Sequence, residues 1–186
     1  MIVLTPERKK MGLLNTAQQL KIKQEQFAET YDLTLHGETE HGGSEAICHS
    51  KMLQDYALPG HLIIGSDSHT PHSGAIGCVA FGVGTTAIFN SWITRDVYSL
   101  VPESVRVEVK GKRPDGVTAK DMMLAILRTP YVADGHAIGK MVEYCGEAVK
   151  ELSIDERATM TNMAAEVGAF SGIVVPDEKA AEFMVN

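Results

Sequence analysis

Apolar and polar positions recur along this chain with two periods, and the switches between them mark its elements. Asn15-Thr-Ala-Gln18 reads as a capping box, followed by a helix to about Tyr31 with Leu20, Phe27 and Tyr31 roughly along one side. Leu33-Thr-Leu35 reads as a short strand, His36 to Ser44 as a polar, glycine-containing loop, and Ala46 to Tyr56 as a helix that Pro59-Gly60 ends. Leu62 to Ile64 is a short apolar run of the kind a buried strand shows. From Gly74 to about Ile93 the chain is rich in small residues and reads as a helix whose glycines serve close packing on a sheet. Val105-Arg-Val-Glu-Val-Lys110 alternates strictly, which predicts a strand with one polar face near a sheet edge. Thr118-Ala-Lys-Asp121 is a second capping box, opening a helix through Leu127 that Thr129-Pro130 stops. Ser153-Ile-Asp-Glu156 is a third, after which Met160, Met163, Ala164 and Val167 fall at i, i+3, i+4 and i+7 and predict one helix running to Gly168. Pro176-Asp177-Glu178 begins a last helix. Helices alternating with strands make this an α/β chain.

Candidate chemistry concentrates where the Leu62 run ends. Asp67-Ser68-His69-Thr70 places a carboxylate, a hydroxyl and an imidazole at the carboxyl end of a strand, the edge at which open α/β sheets bind ligands. The helix read from Gly74 would start beside them, and the free N–H groups and positive dipole of a helix start favour a carboxylate or phosphate, so the expected substrate is anionic. Asn162 and Glu166 are four residues apart and project from one helix face, away from the centre of the apolar stripe. Geometry alone leaves open whether that face is solvated or lines a cleft.

Composition narrows the field. A 186-residue chain that is 44% hydrophobic builds one core, or one and part of a second, and its formal net charge of −7 argues against a nucleic-acid partner, which would require a basic surface. Gly77, Gly82 and Gly84 interrupt the longest apolar stretch and Arg95 closes it, and Arg8-Lys9-Lys10 is not followed by an apolar segment of the signal-peptide type. Cys48, Cys78 and Cys145 are dispersed and form no C-x-x-C pair, which fits reduced, packed thiols in a cytoplasmic setting. Among the histidines, His69 and His72 lie close together in a turn, His61 and His136 read as loop residues, and His36 and His41 stay ambiguous. A zinc site built from them is a weaker alternative.

Seven motifs in fixed order carry a resemblance: Leu58-Pro59-Gly60, Gly65-Ser-Asp-Ser-His-Thr70, Phe81-Gly-Val-Gly84, Pro102-Glu103-Ser104, Gly116-Val-Thr-Ala-Lys-Asp121, Glu143-Tyr-Cys-Gly-Glu147 and Asn162-Met-Ala-Ala-Glu-Val-Gly168. From about Gln18 onward the chain resembles the aconitase superfamily, nearest to the branch of 3-isopropylmalate dehydratase and homoaconitase large subunits. The resemblance implies a three-layer α/β/α domain over residues 1–130, incomplete at its N-terminus, and the start of a second similar unit over 131–186. It covers less than half of a usual family member, and both ends look cut.

What the resemblance implies about chemistry is an aconitase-type hydro-lyase that dehydrates and rehydrates a di- or tricarboxylic hydroxy-acid of the 3-isopropylmalate, homocitrate or citrate type. His49 matches a histidine partnered by Asp67, and His69 one partnered by Glu166; these four are the expected catalytic residues. Ser68 would offer its hydroxyl to substrate or cluster, and Asn162 its amide nearby. The family's 4Fe–4S cluster is held by cysteines expected outside this segment, so the segment alone is expected to bind none and to be inactive. A small swivel-domain subunit is the implied partner, and neither nucleic acid nor membrane is. The competing reading is a non-catalytic α/β module that binds carboxylates or contacts a partner subunit.

Overall fold

The computed structural model describes residues 6–41, 43–45 and 47–185. It divides into two compact units, residues 1–51 and 52–186, with the division inside one helix. The first unit contains α1 (Pro6–Lys10), α2 (Leu14–Thr30) and the start of α3 (Cys48–Asp55). The capping box read at Asn15 does not form: α2 begins one residue earlier, so Asn15 is already inside it. Leu33 is not in a strand either. Asp32 adopts a left-handed φ of 52°, and the Leu33 N–H closes back on the Ala28 carbonyl at 2.9 Å, a helix-terminating motif that consumes the N–H a strand would need. In the polar loop that follows, Glu45 accepts hydrogen bonds from Lys51 and His36, which hold its carboxyl below the ordinary glutamate range. Ala46, where the next helix was read to begin, lies outside the described residues.

The second unit is a mixed α/β fold whose strands all pair in parallel. β1 (Leu62–Gly65) pairs with β2 (Val79–Gly82) in the register Leu62↔Val79 to Gly65↔Gly82. Parallel neighbours need a crossover, and the Asp67–His69 turn and a 3-10 helix over Thr70–Ile76 supply it. This corrects the long helix read from Gly74 to Ile93, of which only α4 (Thr85–Thr94) is helical in the α sense. Gly77 breaks the run: it sits at φ 84°, a left-handed conformation that glycine alone adopts without cost, and turns the chain into β2.

A second sheet follows, in the order β3 (Ser104–Glu108), β4 (Met141–Cys145), β5 (Ser171–Val174). The alternating segment is at its edge, as its polar face predicts. β3 precedes residue 130 while β4 and β5 follow it, and Ser104↔Met141 and Met141↔Ser171 set the registers. Between them lie α5 (Ala119–Leu127) and α6 (Pro130–Ala133). Beyond β4 come α7 (Glu147–Glu151), α8 (Ile154–Asn162) and α9 (Ala164–Val167), and α10 (Glu178–Val185) ends the described chain. The Thr118 and Ser153 capping boxes both form, each side chain accepting from the third helical N–H while Asp121 or Glu156 reaches back. The single helix read from Ser153 to Gly168 is interrupted at Met163, where ψ is 5°.

Two cores meet on α8. Met160 joins Met123, Val142, Tyr144, Leu152 and Val174 over the inner face of the three-stranded sheet. Ile154 and Ala158, on the other side, join Leu53, Ile76, Cys78, Ala80 and Ala180. Between them Arg157 is fully buried and forms a two-pronged ion pair with Asp177, Nη1 to Oδ1 at 2.8 Å and Nη2 to Oδ2 at 2.6 Å, while Nη2 also donates to the Lys150 carbonyl. The two sheets are tied together by Phe81 and Phe170, whose ring centroids lie 4.5 Å apart, and by the Ser171 hydroxyl donating to the Ala80 carbonyl.

Candidate active site

The turn after β1 is fixed by its own first residue. Asp67 Oδ1 accepts the His69 N–H at 2.8 Å, and the Asp67 carbonyl accepts from the Thr70 N–H at 3.2 Å and the Thr70 hydroxyl at 2.7 Å. From below, Gly82 at the end of β2 lets the turn lie directly on the strand: a Cβ there would run into the Asp67 carbonyl. His69 is therefore presented by backbone on two sides, and both its ring nitrogens meet oxygen. Nε2 is 3.2 Å from Glu166 Oε1, on α9; Nδ1 is 3.2 Å from Ser68 Oγ and 3.6 Å from Asp67 Oδ1. An ionised carboxylate only accepts, so in the contact with Glu166 the donor is His69 Nε2–H. The His69, Asp67 and Glu166 side chains are 36%, 56% and 43% exposed, which keeps the cluster accessible to a ligand and its ion pairing modest.

A second contact lies one turn along. Asn162 Nδ2 is 3.3 Å from His72 Nδ1, and the buried Thr161 hydroxyl donates to the His72 carbonyl at 3.0 Å. His72 was read only as His69's neighbour in a turn. Its contact with Asn162 comes from how the 3-10 segment lies on α8, which no spacing in the sequence displays. His69 and His72 face Glu166 and Asn162 in two parallel contacts. Behind them Tyr144 is fully buried with its hydroxyl unpaired among the described residues, and burial, helped by the nearby Glu166 charge, pushes the phenol upward.

The remaining candidates divide plainly. His49 stands on the first turn of α3, in the first unit, and Asp67 in the second. His61 is exposed, and His136 packs against Tyr131 with ring centroids 5.4 Å apart. The thiols do not fit a cluster. Cys78 is buried, donates to the Leu58 carbonyl at 3.1 Å and is pushed up to about 11 by burial; Cys145 is raised by burial too; Cys48 belongs to the first unit. Among the described residues no group of three or more His, Cys, Asp or Glu could hold a metal ion. No described helix is long and apolar enough to cross a membrane.

A parallel α/β unit with imidazoles paired to a carboxylate and an amide at a strand's carboxyl end defines a class that sequence comparison identifies. The family model for the aconitase family (aconitate hydratase) matches residues 7–186, and the chain belongs to that family. It is similar to 3-isopropylmalate dehydratase large subunit 1 of Methanopyrus kandleri, with 40% identity over 141 residues, 75% of this chain. The chain spans about a third (33%) of the length of that relative.

Proposed function

We propose that this chain supplies proton-handling residues of an aconitase-type hydro-lyase acting on a di- or tricarboxylic hydroxy-acid of the 3-isopropylmalate, homocitrate or citrate type. The observation that carries the reading is the 3.2 Å contact of His69 with Glu166, made while Ser68 Oγ stands at the opposite ring nitrogen. Dehydration moves one proton from carbon and delivers another to the departing hydroxyl. In this reading His69 carries a proton on Nδ1, and Glu166 fixes the Nε2–H form and stabilises the imidazolium. Asp67 serves His49 in the same way, Ser68 offers its hydroxyl to the substrate, and Asn162 its amide. The 4Fe–4S cluster belongs to the complete enzyme and takes its ligands from outside this chain, and the partner is a small subunit carrying the swivel domain. Cytoplasmic placement and a division near residue 130 are part of the same proposal.

The test is turnover of 2-isopropylmalate, citrate and homocitrate by the complete protein with its small subunit. One of the three is expected to react. Asp67→Asn and Glu166→Gln are expected to lower kcat by about 10²–10⁴-fold, the usual worth of acid–base catalysis, with little change in KM. His61→Ala, on the exposed loop, is expected to leave kcat near wild type. Binding of these acids without turnover would instead favour the carboxylate-binding module.

A further inference from the structure

The contact between His72 and Asn162 fixes more than a distance. His72 is anchored from behind, since its carbonyl accepts from Thr161 Oγ1 and its neighbours Pro71 and Ser73 are buried. Its ring is thus presented to α8 by a rigid segment. The atom facing Nδ1 is Asn162 Nδ2, an amide nitrogen that only donates. With the amide in this orientation His72 Nδ1 offers the lone pair, which corresponds to the neutral ring with its proton on Nε2. This contact occupies one N–H of the amide. Its other N–H and Oδ1 make no hydrogen bond among the described residues, and Asn162 is only half-buried. Rotating the amide by half a turn would put Oδ1 against Nδ1, where two acceptors repel unless Nδ1 carries a proton. The tautomer of His72 thus decides which end of Asn162 meets a ligand.

We propose that His72 is a positioning residue that holds the Asn162 amide with its carbonyl oxygen and one N–H toward the ligand, a set that matches a hydroxyl donor beside a carboxylate acceptor. The amide then takes a hydrogen bond from the hydroxyl of a hydroxy-acid and gives one to its carboxylate. The ligand class rests on the hydro-lyase reading; the orientation of the amide does not. Glu166 and His69 form the parallel contact one turn away, so the two pairs divide the work between proton transfer and orientation.

Long-range proton–nitrogen correlation spectra of the labelled 186-residue chain at pH 7.5 test the orientation directly. The expected result is His72 protonated at Nε2 and bare at Nδ1, with the Asn162 side-chain NH2 signals shifted by His72→Leu. His72→Asn, which keeps an acceptor oxygen close to the Nδ1 position, is expected to restore them. An Nδ1–H tautomer, a doubly protonated ring, or Asn162 signals indifferent to His72→Leu would overturn the proposal. In the complete enzyme, His72→Leu is expected to raise KM for the hydroxy-acid by about 3–10-fold, on the scale of one hydrogen bond, with a smaller effect on kcat and recovery in His72→Asn. A loss in kcat alone that His72→Asn fails to rescue would contradict it. Absence of turnover in the wild type would count against the hydro-lyase reading and leave the spectroscopic result standing.

Discussion

Two helices of the second unit invert what their composition leads one to expect. α4, Thr-Thr-Ala-Ile-Phe-Asn-Ser-Trp-Ile-Thr, is apolar along much of its length, yet it buries none of its residues, and Phe89, Trp92 and Ile93 are 58%, 59% and 68% exposed. α8, Ile-Asp-Glu-Arg-Ala-Thr-Met-Thr-Asn, is largely polar, yet Ile154, Arg157, Ala158, Met160 and Thr161 are all buried. The difference lies in partners. The polar residues that α8 turns inward find partners: Arg157 pairs with Asp177 through both Nη atoms, though its buried Nε has none among the described residues, Thr161 with the His72 carbonyl, and Asn162 with the His72 ring. On α4 the larger part of the Phe89 and Ile93 side chains stays in solvent instead. Polarity therefore marks the helix that organises the site, and hydrophobicity the one that does not.

The comparison breaks most readily at Arg157. Removing its partner in Asp177→Ala strands a guanidinium between the two cores, and urea denaturation is expected to show a loss of about 3–5 kcal/mol. A loss below about 1 kcal/mol would mean that α8 is not pinned by its polar residues. The same pair sets an acid limit. Hydrogen bonding from Arg157 holds the Asp177 carboxyl below the ordinary aspartate range. Its contribution is complete above the unfolded value of about 3.9 and disappears as pH falls through the lower folded one. Wild-type stability is thus expected to fall more steeply below pH ~4 than that of Asp177→Asn.

A smaller effect is expected at the turn itself. Gly82→Ala pushes a methyl group into the Asp67 carbonyl, and overpacking of this kind costs about 1–3 kcal/mol. Melting should register that loss, and the His69 ring signals should move with it; an unchanged His69 spectrum would show that β2 does not support the turn. The smallest effect belongs to α4. Phe89→Gln with Ile93→Gln is expected to change folding stability by no more than about 0.5 kcal/mol each, as exposed substitutions do. The same double variant is expected to reduce self-association seen by sedimentation, because exposed apolar patches promote contact between copies.

Local signals were the legible ones. Thr118 and Ser153 cap helices because the donor and acceptor lie three residues apart, a relation any window of sequence contains. Leu62 to Gly65 announced a strand by its apolar run, and Val105 to Glu108 by alternation at a half-covered edge. β2 was hidden because glycine and alanine carry no period of their own, and Ser171–Val174 is too short and too buried to display one. The break at Met163 is a matter of backbone and leaves no mark in the apolar spacing. At the site, Asp67, Ser68 and His69 stood out because they are adjacent, and Asn162 and Glu166 because they share a helical spacing. No sequence period joins His69 to Glu166 or His72 to Asn162. Those contacts depend on how the 3-10 segment lies on α8, which is decided by tertiary packing.

The central claim is that Glu166 acts through His69, and a double-mutant cycle on kcat in the complete enzyme tests it most directly. His69→Gln and Glu166→Gln are each expected to slow turnover by about 10²–10⁴-fold. Residues that work as one unit lose their function once, so the double variant is expected to be no more than a few-fold slower than the slower single variant. Losses that multiply, or a Glu166→Gln enzyme that turns over at the wild-type rate, would contradict the account.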